Sequence, residues 1–256
     1  MKLFAHTAWL PVPESTVEEG AQAAVFVAGA VGLADAVPPA WLPLTDDDRA
    51  RLAAFRVPDD ARRFLTGRML VFQYVRDVLH LSVPEVRFVR GFTEAGEWKP
   101  VLVAEDPDVT LPAVSVSHSR DIVVAAFCES HEVGVDVEAH AAFEGAADPV
   151  LSHALTVAER RTLSDRAGAA RAFTAKEAVL KAMGFGFAVD PLSVEIVSDR
   201  VRWTATTRSC PVSVVEVPMP SAGVSASVAL TDLSPDLQIL PSAPYRPFQP
   251  SSRVEL

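Results

Sequence analysis

Cysteine is nearly absent from this chain: Cys128 and Cys210 are the only two in 256 residues. That scarcity excludes a disulfide framework and points to a reducing, cytoplasmic setting. An excess of positive charge is also missing. Lys and Arg number 23 against 33 Asp and Glu, a formal net charge of −10, which argues against a general nucleic-acid binder with a basic stripe. No apolar run is long enough to span a membrane. The most apolar stretch, 21–37, is broken by Gly29, Gly32 and Asp35 and falls short of the ~20 residues a span needs. It is expected to form a buried helix, or a helix and a turn. The opening residues MKLFAHTAWLPVPEST lack the charged-then-apolar layout of a signal peptide. A phosphate-cradling loop of the G-x-x-x-x-G-K type is absent too.

What remains is a chain with enough apolar residues for a substantial core, 49% hydrophobic against 22% charged. Its length suits one large domain or two ordinary ones. The N-terminal residues 2–10 alternate loosely as a first strand. Thr45 followed by three acids predicts a capped helix over 45–55. Residues 59–81 carry an apolar stripe of Phe64, Leu65, Leu70, Val71, Tyr74 and Val78, the pattern of a long amphipathic helix ended by Pro84. A short strand follows at 86–89, then a turn region to 100 and a loop over 101–111. Strands at 115–119 and 122–128 form a hairpin, with 133–138 nearby. Helices are expected at 149–155, 157–167 and 169–183, and strands at 193–197, 201–205, 212–217 and 224–230. The tail beyond Asp232 carries five prolines (235, 241, 244, 247 and 250) and suits extended chain.

Three stretches carry chemistry. In VGVDVE (133–138) the valines share one strand face, while Asp136 and Glu138 share the other. Such a pair is either a solvated outer face or a holder of a hard cation such as Mg²⁺. In FTAKEAVLKAMGFG (173–186) Glu177 and Lys181 lie four apart on a helix, where carboxylate and ammonium can meet. Gly184 supplies the stop. SVSHS (115–119) places hydroxyls and an imidazole between two strands, where they suit phosphate oxygens.

In this order and together, the stretches resemble the 4′-phosphopantetheinyl transferases of the surfactin-synthetase type. TVAE (156–159), ARRFLTGRMLV (61–71) and EWKP (97–100) extend the resemblance to about residues 45–230. It implies an α+β, pseudo-duplicated fold: two similar halves, each packing helices on a small, mainly antiparallel sheet. The halves would be 1–130, on the coenzyme A nucleotide side, and 131–233, with the metal and catalytic residues. A Pro-rich tail would occupy 234–256. The implied reaction transfers the phosphopantetheine arm of coenzyme A to a serine of an apo acyl or peptidyl carrier protein, Mg²⁺-dependent, releasing 3′,5′-ADP. A monomer serving polyketide or nonribosomal peptide synthesis, with neither nucleic acid nor membrane as partner, is implied as well.

Residue by residue, the resemblance implies Asp136, Glu138 and Glu177 as metal ligands, with Glu138 direct or through water. It implies Lys181 at the bridging or leaving phosphate and Lys176 either at phosphate or paired with an acid on the helix exterior. Arg51, Arg63, Lys99, Ser117 and His118 would meet coenzyme A. Glu159 fits two roles, the far member of a T-x-x-E capping box and a general base toward the carrier serine. Four positions depart from the family pattern: Asp48, Phe64, Trp98 and Phe173. Arg160, Arg161, Arg166 and Arg171 make either a solvated helix face or a basic rim for an acidic carrier. A Mg²⁺-dependent nucleotide phosphohydrolase and a non-catalytic carrier-binding protein are the competing functions.

Overall fold

The computed structural model describes residues 6–11, 22–29, 40–93, 98–143, 149–161, 163–186, 189–197, 200–203, 209–219, 222–231 and 237–238. Among these, every strand pairing is antiparallel, as α+β architecture requires.

The first half begins with strands β1 (His6–Pro11) and β2 (Gln22–Gly29), then helices α1 (Asp46–Ala54) and α2 (Pro58–Asp77). Thr45 caps α1, and Asp48 reaches back to the Thr45 amide in a reciprocal capping box. Pro58 starts α2 where its missing N–H costs nothing. A 3₁₀ turn (Val83–Glu85) leads to β3 (Val86–Thr93) and β4 (Trp98–Ala104). The hairpin of β5 (Ala113–Ser119) and β6 (Ile122–Cys128) follows, turning at Arg120 with φ 51°. The sheet runs β1-β2-β6-β5, and α2 packs over it. Tyr74 of α2 stacks on Phe127 of β6 at 3.9 Å between centroids.

The second half repeats the arrangement. Strand β7 (Glu132–Ala139) pairs with β12 (Val224–Thr231), and β12 pairs with β11 (Ser213–Glu216). Short helices α3 (Pro149–Ala154) and α4 (Val157–Arg160) precede the long α5 (Arg166–Ala182). Helix α5 lies across β7 and β12 and also meets the small sheet of β8 (Val194–Val197), β9 (Arg200–Trp203) and β10 (Ser209–Pro211). Gly184 takes φ 71° just past α5, the left-handed conformation that ends a helix. Residues 129–131, between β6 and β7, are where the boundary between halves was expected. One core cluster crosses that turn: Val25, Val124, Ala126 and Cys128 pack with Val133, Val135, Val137, Ala226 and Val228.

Several expectations change. Residues 22–29 of the apolar 21–37 stretch form a strand, not a helix, because β6 offers them a full ladder. The expected loop at 101–111 begins as β4; Pro100 is tolerated there because β4 is an edge strand paired only to β3. The helix expected over 157–167 stops at Arg160, and Asp165 caps α5 by accepting from the Gly168 amide at 2.7 Å. Of the Pro-rich tail only Leu237 and Gln238 are described, as β13 on the edge of β3; the rest lies outside the described residues. No helix among the described residues is long and apolar enough to cross a membrane.

Candidate active site

The two halves meet where β5 runs beside β7. No backbone ladder joins these strands. Their link is made by the serines of SVSHS. Ser115 Oγ accepts from the Val135 amide at 3.0 Å, and Ser119 Oγ accepts from the Ala139 amide at 3.2 Å. Ser117 Oγ donates to Asp136 Oδ1, and Ser119 Oγ donates to Glu138 Oε2, both at 2.7 Å. Strand alternation explains the match, since every second residue of β5 meets the carboxylates spaced by two on β7.

Helix α5 closes the site from above. Gly134 permits that closeness, because a methyl there would overlap the Ala178 carbonyl oxygen and the Ala182 amide nitrogen. One turn of α5 thus rests directly on β7 and brings Glu177 and Lys181 to the acids. Lys181 Nζ donates to Asp136 Oδ1 at 2.6 Å, and to Ser117 Oγ and the Val135 carbonyl at 3.2 Å each. The i,i+4 pairing expected between Glu177 and Lys181 gives way to this one, because Asp136 is the nearer buried carboxylate.

Burial raises the Glu177 carboxyl above its ordinary range, and the charges of Asp136 and Glu138 push it further against the opposing pull of Lys181. Glu138 is raised as well, by burial first and then by Asp136, while the Ser119 bond draws it down. Three carboxylates thus face one ammonium. Asp136 is 4% exposed, and its Oδ2 is buried with no hydrogen-bonding partner. As placed, no three acidic, histidine or cysteine side chains among the described residues converge on a single point. The donor set is nonetheless all hard oxygen, and an orphaned buried carboxylate oxygen amid repelling acids fits a cation such as Mg²⁺.

On the other side of β5, His118 is exposed at the surface. Partial burial, then the Arg63 cation, hold its imidazole below the ordinary value. Arg63 is paired with Asp60 and donates to the Arg120 carbonyl at 2.9 Å, so it clamps the β5–β6 turn beside His118. Arg51 lies over Phe64 at 5.2 Å from the ring centroid, with Arg68 over the same ring at 4.8 Å. Asp48 is bound by Arg68 and by the α1 cap, which accounts for an acid where the family pattern has a cation. Phe64 holds the two guanidiniums in the same way.

Four expected site residues are occupied elsewhere. Lys99 is buried, paired with Glu132 and donating to the Ala182 carbonyl at 3.1 Å, so it does not lie open to a nucleotide. Lys176 is fully buried; it bonds both Glu159 oxygens at 2.9 and 3.0 Å, and the Val194 carbonyl. Glu159 also accepts from the Thr156 amide at 2.8 Å and the Ile196 amide at 2.9 Å. Its four acceptor positions are filled, so the capping-box reading holds and no lone pair is left for a serine proton. Lys176 does pair with an acid, but in the interior rather than on the helix exterior, and that bond takes the place of phosphate contact. Ser117 spends its hydroxyl proton on Asp136 rather than on an outward phosphate.

The SVSHS hydroxyls, expected at phosphate oxygens, instead serve β7 through Ser115 and Ser119, and Gly134 was not anticipated. Setting the alternation of SVSHS against that of VDVE would have revealed that role of the serines. Gly134 had no local signal, since only the crossing helix makes it necessary.

Residues 132–216 match the family described as the 4′-phosphopantetheinyl transferase superfamily. Residues 39–130 match the family described as 4′-phosphopantetheinyl transferase, N-terminal. A phosphopantetheinyl transferase of Thraustochytrium sp. (strain ATCC 26185 / S-3) is 34% identical over 94 residues, which are 37% of this chain and 31% of that protein. The chain thus matches about a third of its relative's length. Two adjoining matches to one family, one on each side of the β5–β7 junction, place this chain in the 4′-phosphopantetheinyl transferase family.

Proposed function

We propose that this chain transfers the 4′-phosphopantetheine arm of coenzyme A to a serine of an apo acyl or peptidyl carrier protein, releasing 3′,5′-ADP. The observation that carries the reading is Asp136, buried between the halves with one oxygen held by Ser117 and Lys181 and the other unpartnered. The family matches and the name of the Thraustochytrium relative support the transferase class.

Asp136, Glu138 and Glu177 would hold Mg²⁺, which when bound supplies positive charge to the pyrophosphate. The protein's own work is positioning and charge stabilisation, the main needs of phosphoryl transfer. Lys181, fixed by three acceptors, would offset negative charge on the departing phosphate. His118, as a neutral hydrogen-bonding ring, and the Arg63 cation beside it would meet the nucleotide phosphates, with Arg51 of α1 as a further cation. The exposed Arg161, Arg166 and Arg171, beyond α4 and along α5, suit an acidic carrier. A cytoplasmic monomer of the surfactin-synthetase type, serving polyketide or nonribosomal peptide carriers, completes the proposal.

The test is intact-mass spectrometry of apo carrier domains incubated with the protein, coenzyme A and Mg²⁺, beside an EDTA control. A cation-dependent gain of one phosphopantetheine arm is expected. Asp136→Asn should abolish the gain while keeping a cooperative thermal transition. A folded protein that modifies no fatty-acid, polyketide or peptide carrier overturns the proposal.

A further inference from the structure

Resting on that reading, we infer that Ser119 is a positioning residue for the cation site, setting Glu138 through a hydroxyl it shares with the backbone of β7. The Ser119 hydroxyl has one proton and gives it to Glu138 Oε2 at 2.7 Å. Its lone pair accepts from the Ala139 amide at 3.2 Å, the residue directly after Glu138. One side chain thus ties the Glu138 carboxylate to its own strand. Ser119 is 9% exposed, so water competes poorly for either bond. Ser117 makes the parallel bond to Asp136 two residues earlier on each strand. Without Ser119, Glu138 would keep only the pull of Lys181 and of the Ala139 amide against the repulsion of Asp136 and Glu177.

Ser115 provides an internal control. It bonds the Val135 amide in the same way, yet among the described residues no carboxylate is bonded to its hydroxyl. If the serines act only as structural links between strands, Ser115 and Ser119 are equivalent. If Ser119 positions a ligand, only Ser119 governs cation affinity.

The experiment titrates Mn²⁺ into the full chain, with and without coenzyme A, and follows free Mn²⁺ by electron paramagnetic resonance. Melting temperature is recorded for each variant. Ser119→Ala is expected to weaken Mn²⁺ binding by about 10-fold, the scale set by residues that orient metal ligands. Ser119→Thr, which keeps the hydroxyl, restores it. Ser115→Ala lowers the melting temperature and leaves Mn²⁺ affinity unchanged. Unchanged affinity in Ser119→Ala, or an equal loss in Ser115→Ala, overturns the inference while the transferase reading stands. Should Ser119→Ala fail to fold, the failure of Ser119→Thr to bind Mn²⁺ as the unaltered chain does has the same force. Absence of Mn²⁺ binding by the unaltered chain, even with coenzyme A, overturns the cation site itself and this inference with it.

Discussion

Lys176 shows how a residue's partner decides its role. Its ammonium is fully buried and depends on Glu159 for its charge balance. Burial lowers its pKa, and Glu159 opposes that shift. Breaking a buried pair by removing one member strands the other, at a cost of about 3–5 kcal/mol. Lys176→Met and Glu159→Gln should each destabilise the protein on that scale, and the double variant by less than their sum. A double-mutant cycle in urea checks this. Loss of transfer at unchanged stability in Glu159→Gln would restore its role as a base. His118 carries a pH prediction. Its folded pKa lies below the ordinary value of 6.5. Above that value the ring is neutral in both states and contributes nothing. As pH falls through 6.5 the unfolded chain takes up the proton first, so stability declines until the folded pKa is reached. Melting curves from pH 7.5 to 5 should show a steeper decline for the unaltered protein than for His118→Gln. Parallel curves would remove the argument.

At the scale of elements, the contact between α5 and β7 is the decisive one. Gly134→Ala puts a methyl into the α5 backbone, which cannot yield as a flexible side chain would. A loss of about 3 kcal/mol or more is expected, at the upper end of overpacking costs, together with displaced Glu177 and Lys181. Denaturant titration and Mn²⁺ affinity would both register it. A variant with normal stability would mean that α5 rides higher than described. This contact also marks the limit of what the sequence discloses. The acid strand and the K-E-x-x-x-K helix were legible because both follow short periods, two and 3.6. Lys181 choosing Asp136 over Glu177 was not, because that choice depends on two elements 45 residues apart. The β2 stretch misled for a related reason: short apolar runs suit helix or strand equally until a partner strand decides. Pro100 concealed β4, since proline in a strand is permitted only on an edge that the sequence does not announce.

Across the whole molecule, Lys99 acts as a tie between halves. It joins β4 to Glu132 at the start of β7 and to the last turn of α5. Lys99→Met should lower the unfolding free energy by about 3 kcal/mol, the scale of a broken buried pair, and leave coenzyme A affinity of the folded protein intact. Calorimetric titration at a temperature where the variant remains folded distinguishes the two effects. Weaker coenzyme A binding at unchanged stability would return Lys99 to the nucleotide site.

The alignment of β5 with β7 has a consequence for how the protein tolerates change. A main-chain ladder is indifferent to side-chain identity, so most strand neighbours can drift in sequence and stay in step. Here the register between halves is written in hydroxyls at every second position of β5. A single codon change at any of these three serines edits the alignment of the two halves itself, where in an ordinary sheet it would alter only one surface.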